Sequence, residues 1–202
     1  MRRREEWAKR LMDLSLAGVG LLVTAPVIAV AWIVATLETG ENGFFLQERV
    51  GKDGRLFRVV KIRTMREIPG HNSSVTTATD RRITRSGRFF RRYKIDELPQ
   101  LFNVLKGEMS FVGPRPDVPG FADRLEGEAR RLLTLRPGIT GPATLKYRNE
   151  EELLAKQNDP ERFNREVIWP DKVRINLEYM EHWSLKKDLK ILWRTFTGGH
   201  DA

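Results

Sequence analysis

"LSLAGVGLLVTAPVIAVAWIVATL" occupies Leu14 to Leu37 and contains no charged side chain. As one straight helix these residues reach about 36 Å, against a bilayer hydrocarbon core of about 30 Å. The run is therefore long enough to cross a membrane. It is long for the apolar part of a signal peptide, and no small-x-small cleavage site follows it before the folded region. Two features complicate a simple span. Pro26 lies in the middle of the run, where it removes a helix hydrogen bond and favours a kink. Basic residues crowd both ends, with Arg2, Arg3, Arg4, Lys9 and Arg10 before the run and Arg49, Lys52, Arg55, Arg58, Lys61, Arg63 and Arg66 after it. Positive flanks prefer the cytoplasmic side. If both flanks obey, the segment enters and leaves by one face, as a re-entrant hairpin broken at Pro26. A kinked bitopic span is the alternative, and the residues alone leave both open. A buried helix of a soluble protein is disfavoured by so long an uncharged stretch.

The rest of the chain has a different character. The full sequence has 202 residues, a net charge of +9, a pI near 10.1 and no cysteine. The charge points to an anionic partner: nucleic acid, an anionic membrane surface or a phosphate-rich small molecule. The lack of cysteine excludes disulfides, thiolate metal sites and a cysteine nucleophile. The length allows one domain of ordinary size with an appendage, divided here into a membrane segment with its basic flank (1–40) and a globular part (41–202).

In the globular part, "GFFLQERVG" and "RLFRVVKIRTM" read as strands joined by the turn "GKDG". The polar stretch from Arg66 to Asp80 reads as a loop. A helix is predicted over Thr84–Tyr93. Asp96 reads as the N-cap of a second helix with Pro99 in its first turn and Gly107 as its stop. "MSFVG" suits a short buried strand. Helical patterns follow at Phe121–Leu135, Glu150–Lys156, Arg162–Trp183 and Leu185–Phe196. The expected fold class is a small α+β unit with scarce, short strands.

Asp96 and Glu97 stand at the end of a stretch, Arg81 to Lys94, that holds seven basic residues and no acidic one. As structure, the pair is a helix cap and a dipole-complementing residue. As chemistry, a carboxylate among arginines is held ionised, with a depressed pKa, and can coordinate Mg²⁺ or attack phosphorus. Gly113-Pro114-Arg115-Pro116 is either a rigid turn or a holder that fixes the Arg115 guanidinium for a two-pronged grip on phosphate. "RPGITG", Arg136 to Gly141, repeats the arginine-in-a-turn theme.

These pieces together resemble the catalytic domain of the bacterial sugar transferases, the small monotopic phosphoglycosyl transferases. The resemblance covers roughly Lys9 to Tyr147. It is carried by "LMD" before the apolar run with its proline, "QERVG", "KIRTM", "TRSGRFFRRYKIDELPQLFNVLKGEMSFVGPRP" and "LRPGITG". It implies a re-entrant anchor on the cytoplasmic face of the bacterial inner membrane. It also implies transfer of a phosphosugar from a nucleotide diphosphate sugar, a UDP-sugar in the first instance, to polyprenyl (undecaprenyl) phosphate. UMP would leave, Mg²⁺ would be the cofactor, and the product would feed glycoconjugate assembly. By resemblance Asp96 is the nucleophile, Glu97 assists it, and both hold the metal. Lys61, Arg91, Arg115, Pro116 and Arg148 fall at substrate-binding positions, with Arg63 and Gln47 weaker candidates. Three positions depart from the family pattern: Ala25-Pro26 replaces the frequent Ser-Pro, Arg148 lies in "LKYRNE", and Asp117 stands after Gly-Pro-Arg-Pro where Glu is frequent.

Other readings are a basic, membrane-anchored binding or scaffold protein with a non-catalytic acidic pair, and a nucleic-acid-binding module. The latter lacks a recognition helix or stacking motif, so no nucleic-acid partner is expected. Trp169, Trp183 and Trp193 lie among lysines and arginines, either as helix core or as an interfacial belt on the membrane. His71, His182 and His200 form no metal-ligand spacing.

Overall fold

The apolar run folds as part of one helix, α1 (Arg3–Thr39), in a computed structural model of the chain that describes residues 3–66 and 80–198. Helical structure continues through Pro26 without interruption. The break expected there is therefore not what the structure shows: the proline sits inside a continuous helix. Two local features account for this. Thr24 Oγ1 donates to the Gly20 carbonyl at 2.7 Å, a back-bond that lets a helix bend without opening. The same body supports α1 on both sides of the proline, since Ala17 before it and Ile28, Ala31 and Ala35 after it are all buried. That buried stripe is narrow and small-sided. The other faces, including Val19, Leu22, Val23, Val30 and Leu37, are exposed.

The globular part wraps around this stripe. Strands β1 (Phe44–Val50) and β2 (Leu56–Ile62) form an antiparallel hairpin, with Gln47 opposite Val59 and Phe45 opposite Lys61. Its turn uses Asp53 and Gly54, both at positive φ, the conformation that two-residue hairpin turns need. Helix α2 (Arg85–Arg92) is N-capped by Thr84, which accepts from the Gly87 amide. The C-terminal end of α1 also reaches it, because Glu38 accepts from the Arg85 and Ser86 amides at 2.9 and 3.2 Å. Helix α3 (Gln100–Lys106) ends at Gly107, whose φ of 85° closes the last turn in the manner glycine permits. Arg10 from α1 donates to the Val104 and Leu105 carbonyls, and Arg136 donates to the Gly107 carbonyl. Two guanidiniums thus cover the negative end of α3.

Two clusters connect these elements. Ala17, Val59, Leu101, Val104 and Met109 form one, and Ile28, Ala31, Ala35, Ile62 and Phe90 the other. Asn103, fully buried, ties α3 to the hairpin edge: its Oδ1 accepts from the Val60 amide, and its Nδ2 donates to the Arg58 carbonyl. Strand β3 (Ser110–Val112) pairs in parallel with β4 (Gly138–Thr140). "RPGITG" therefore contributes a strand as well as a turn. A side chain at Gly138 would meet Gly113 backbone at 2.2 Å, so only glycine lets these segments approach.

The C-terminal part comprises α4 (Pro142–Lys146), α5 (Glu150–Ala155), α6 (Pro160–Phe163), a π-helical turn (Asn164–Ile168), α7 (Trp169–Glu181) and α8 (Leu185–Thr197). The helix expected over Phe121–Leu135 is instead two 3₁₀ turns, Ala122–Arg124 and Gly127–Thr134. Gly120 and Gly127 both hold positive φ there and interrupt the α path. Buried Asp188 fastens α8 to the N-terminal turn region of α1. It accepts from Lys9 Nζ at 2.5 Å, Tyr179 Oη at 2.6 Å and Trp183 Nε1 at 3.1 Å.

Candidate active site

The acidic pair lies on a single 3₁₀ turn, Ile95–Glu97, between α2 and α3. Lys94 precedes it in the left-handed conformation, φ 56°. A non-glycine residue there is uncommon and sets the turn's direction. Asp96 is therefore not the N-cap of α3, as its sequence context suggests. That place falls to Pro99, and no side chain caps the helix. Asp96 is buried instead, and its Oδ1 has no hydrogen-bond partner. A buried oxygen left without a partner costs about 1–3 kcal/mol, which makes it a site of interest rather than a structural prop.

Glu97 is held in the opposite way. Arg115 Nη2 donates to its Oε1 at 2.7 Å, and Lys61 Nζ lies 3.5 Å from the same atom. Arg115 arrives on the rigid Pro114–Pro116 segment that follows β3, and Lys61 projects from β2. The Arg115 side chain keeps 42% of its exposure, so one side of the guanidinium faces solvent while the other grips Glu97. Arg91, at the end of α2, and Lys94 are close enough for their charges to act on Asp96.

The electrostatics of the two carboxyls diverge. Burial pushes Asp96 up to about 6; the adjacent Glu97 charge adds to this, and Lys61, Lys94 and Arg91 oppose it. The depressed pKa expected for Asp96 is thus reversed, because loss of water outweighs the surrounding cations. Burial also works against the charge on Glu97. There Arg115 and Lys61, helped by Lys94, outweigh it and hold the carboxyl well below its ordinary range. Glu97 is a fixed anion, whereas Asp96 is a desolvated carboxyl with a free oxygen. Burial lowers the Lys61 pKa, with Glu97 opposing that shift.

Lys61, Arg91, Asp96, Glu97, Arg115 and Pro116 thus come together. Arg63 and Arg148 are placed elsewhere. Arg63 pairs with Glu41 at 2.8 Å and donates to the Asn42 carbonyl, at the junction after α1. Arg148 is exposed and donates to the Arg194 carbonyl at the end of α8. Two further residues belong to the site although the sequence did not mark them as site candidates. Arg49 donates to the Pro116 carbonyl at 3.2 Å and to Gln47 Oε1, and its charge is felt by Lys61. Asp117 follows Pro116; burial raises its carboxyl to about 6, against the pull of Lys172, Arg49 and Arg115. Period-two spacing links Arg49 to Gln47 on one strand, and strand pairing adds Lys61. Gln47, Arg49 and Lys61 share one face of the β1–β2 hairpin in the observed register.

The arrangement can bind a diphosphate through the open side of Arg115 with Lys61 and Arg49 nearby, and present a nucleophilic oxygen to it. Among the described residues no group of three or more histidine and acidic side chains forms a ready-made metal cage. The pair itself still suits Mg²⁺, which binds through one or two carboxylates and completes its shell with water and substrate phosphates; the unpartnered Asp96 oxygen fits that role.

Comparison with known proteins agrees with the geometry. The family described as "Bacterial sugar transferase" matches residues 4–200. The chain is 36% identical over 198 residues to the UDP-glucose:undecaprenyl-phosphate glucose-1-phosphate transferase of Escherichia coli, covering 95% of this chain and 40% of that one. It is 35% identical over 187 residues to the uncharacterized sugar transferase EpsL of Bacillus subtilis, covering 93% and 84%. It is 34% identical over 191 residues to the UDP-N-acetylgalactosamine-undecaprenyl-phosphate N-acetylgalactosaminephosphotransferase of Aeromonas hydrophila, covering 93% and 42%. The chain therefore spans about two-fifths of the length of two of these relatives and most of the third. With nearly its whole length inside the family match, the chain belongs to the bacterial sugar transferase family.

Proposed function

We propose that the chain transfers a phosphosugar from a UDP-sugar to polyprenyl phosphate and releases UMP, through a covalent intermediate on Asp96. The observation that carries this reading is the divergence within the pair: a desolvated Asp96 with an unpartnered oxygen beside a Glu97 locked into an ion cluster. In the first step an Asp96 carboxylate oxygen attacks the sugar-linked phosphorus, the bond from that phosphorus to the bridging oxygen breaks, and UMP departs with the bond's electrons. In the second, an oxygen of polyprenyl phosphate attacks the same phosphorus and the bond to Asp96 breaks. The product is a polyprenyl diphosphate sugar, and Asp96 is again a carboxylate. Each half exchanges one P–O bond for another, the general logic of a covalent nucleophile. Arg115, Lys61 and Arg49 hold the phosphates and stabilise charge as it moves between them. Glu97 keeps Arg115 and Lys61 in position. Bound Mg²⁺, held by Asp96 and Glu97, would neutralise phosphate charge.

Packing supports a reading of the membrane arrangement. The buried stripe of α1 runs from Asp13 to Ala35, about 33 Å of helix. A helix covered along that length by a charged globular body cannot stand upright in hydrocarbon without taking the body with it. We therefore read α1 as a monotopic element embedded from the cytoplasmic face of the inner membrane, with both ends on that side. The acceptor lipid would reach the dyad from the bilayer surface.

The deciding experiment omits the acceptor. With UDP-sugar and Mg²⁺ alone, the enzyme should release about one UMP per site as a burst and gain the mass of a phosphosugar on the Asp96 peptide. Adding undecaprenyl phosphate should discharge the adduct. An active enzyme that releases no UMP without acceptor and never carries an adduct attacks directly in a ternary complex, and Asp96 is then not the nucleophile.

A further inference from the structure

Helix α7 breaks its own pattern at Asn176. Trp169, Val173 and Asn176 stand four and then three residues apart, so they share one face of the helix. Periodicity calls for an apolar side chain at the third place, and the sequence supplies an amide. Asn176 is only 7% exposed, and its Oδ1 has no hydrogen-bond partner. Asn103, the other buried asparagine among the described residues, has both ends of its amide bonded. A buried amide oxygen without a partner lowers stability, so packing does not explain Asn176. The face of α7 that carries it forms one wall of a cleft beside the dyad. Pro114, Leu133, Trp169 and Val173 give this cleft apolar sides, and Arg115 and Asp117 line it as well. Phe121 holds Trp169 in a T-shaped contact, ring centroids 5.5 Å apart. Asp117 is fixed through its carbonyl, which accepts from the Val50 amide at 2.9 Å. Arg115 belongs both to the cleft and to the grip on Glu97. The cleft therefore adjoins the phosphate-binding side of the site.

We propose that this cleft binds the uridine part of the donor, with Asn176 as the residue that reads the base. The uracil ring would lie among Trp169, Val173, Leu133 and Pro114. Asn176 would pair with its edge, accepting the N3 hydrogen and donating to a ring carbonyl. Asp117 would accept from a ribose hydroxyl, and Arg115 would hold the diphosphate. The match is one of chemistry. A uridine nucleotide carries a flat, weakly polar ring, a donor beside an acceptor on that ring's edge, a hydroxylated sugar and an anionic tail. The cleft offers apolar walls, an amide that both donates and accepts, a carboxylate and a guanidinium. Amide side chains read bases through paired donors and acceptors of this kind, and the amide can turn over about its last bond to present either end. The base would supply the partner that Asn176 lacks. A site with a buried polar group discriminates strongly against ligands that leave the group unpaired, so the amide would select the nucleotide while the transferred sugar is read elsewhere. This inference deepens the reading of the chain as a phosphosugar transferase that uses a UDP-sugar, and it rests on that reading.

Calorimetric titration of the full-length protein in nanodiscs, with Mg²⁺ present, separates base from phosphate when UMP, ribose phosphate and pyrophosphate are compared. The parent should bind UMP at least about tenfold more tightly than ribose phosphate. Asn176→Leu should remove that advantage and leave pyrophosphate binding unchanged. Its urea midpoint should not fall, because an unpartnered amide is exchanged for apolar contact. Val173→Phe narrows the cleft without touching the amide; it should weaken UMP and spare pyrophosphate. In the acceptor-free assay both variants should need more UDP-sugar to reach the parent's burst. If Asn176→Leu binds UMP as the parent does, in a parent that shows the burst, the base site is overturned and the proposed function stands. A parent with neither burst nor UMP binding brings down both. If the variants lose the UDP-sugar but keep UMP, the cleft holds the sugar, and the proposal fails. Equal loss of UMP and pyrophosphate in both variants would mean that the cleft only supports the phosphate grip, which overturns it too. A lowered urea midpoint for Asn176→Leu would make the amide a prop of the fold, and Val173→Phe then decides whether the cleft takes the base.

Discussion

Burial raises Asp96 to about 6 while Glu97, one residue along, is driven the other way. The sign of the consequence for stability is definite. The folded pKa lies above the ordinary value of 3.8, so between about pH 4 and 6 the folded state holds more of this proton than the unfolded chain. Stability then falls as pH rises through that window and stays lower above it. A shift of about two units corresponds to roughly 3 kcal/mol, reduced by any relaxation of the site. Asp96→Asn should accordingly abolish the UMP burst while making the protein more stable at pH 7, by about 1–3 kcal/mol in a urea titration. A destabilised variant would mean that the charge is a prop of the fold. The same shift predicts that the first half-reaction slows as pH falls below about 6, where the nucleophile takes up its proton; a flat profile from pH 5 to 8 would contradict it. Arg115→Lys keeps the charge but loses the fork that grips Glu97 on one side and offers donors on the other. Turnover should drop at least about tenfold, and near-normal turnover would remove Arg115 from phosphate binding. The dyad and Arg115 were legible because an acidic pair beside a basic stretch and an arginine between prolines are local patterns. Arg49 was hidden among flanking positive charges, and only strand pairing reveals that it shares a face with Lys61. Arg63 and Arg148 read as equivalent cations, yet their partners, Glu41 and the Arg194 carbonyl, are set by tertiary folding.

At the scale of the element, sequence periodicity served where one local rule governs. The β1–β2 hairpin with its Lys-Asp-Gly turn, α2 with its Thr84 cap, the glycine stop of α3 and the last helix all lie close to the expected bounds. Strand β4 escaped notice because its three residues pair in parallel with a segment 28 positions away, a partnership with no local signature. The turns over Ala122–Arg124 and Gly127–Thr134 carry a helical apolar pattern, but two glycines at positive φ override it. Residues 67–79, most of the polar stretch from Arg66 to Asp80 that reads as a loop in the sequence, lie outside the described residues. Asn103 shows how a polar residue can be a core element. Asn103→Leu has a similar volume and a helix-favouring side chain, yet it would leave the Val60 amide and Arg58 carbonyl without their partner. At about 1–3 kcal/mol for each buried group, the variant should lose about 2–5 kcal/mol of stability. It should also displace Lys61, one residue beyond Val60, and so lose activity in the folded fraction. A variant as stable as the parent would show that water replaces the amide.

For the whole molecule, α1 and the globular part share one interior. Ala17 sits in the cluster of Val59, Leu101 and Met109, while Ile28, Ala31 and Ala35 join Ile62 and Phe90. Polar ties reinforce this at both ends of α1. Near its start, buried Asp13 accepts from Ser110 Oγ and the Phe111 amide, at 3.1 and 3.0 Å. At its finish, Glu38 caps α2. Composition shows an apolar run and a basic body; only the packing shows that they are not separable. The topological prediction follows. Since the body touches α1 before and after Pro26, residues flanking the helix on either side should face the same compartment. Arg4→Cys and Glu41→Cys give single reporters in a chain without other thiols, both at side chains that leave the buried stripe intact. In intact cells neither should react with a membrane-impermeant maleimide, and both should react once the inner membrane is opened. Pro26→Leu should leave that pattern unchanged, because the interior contacts of Ala17 and Ile28 hold the helix irrespective of the proline's missing amide. If one reporter reacts from the periplasm in the parent chain, α1 crosses the bilayer and the shared interior must come apart in the membrane. If only the Pro26→Leu variant flips, the proline, and not the packing of α1 on the catalytic body, determines the topology.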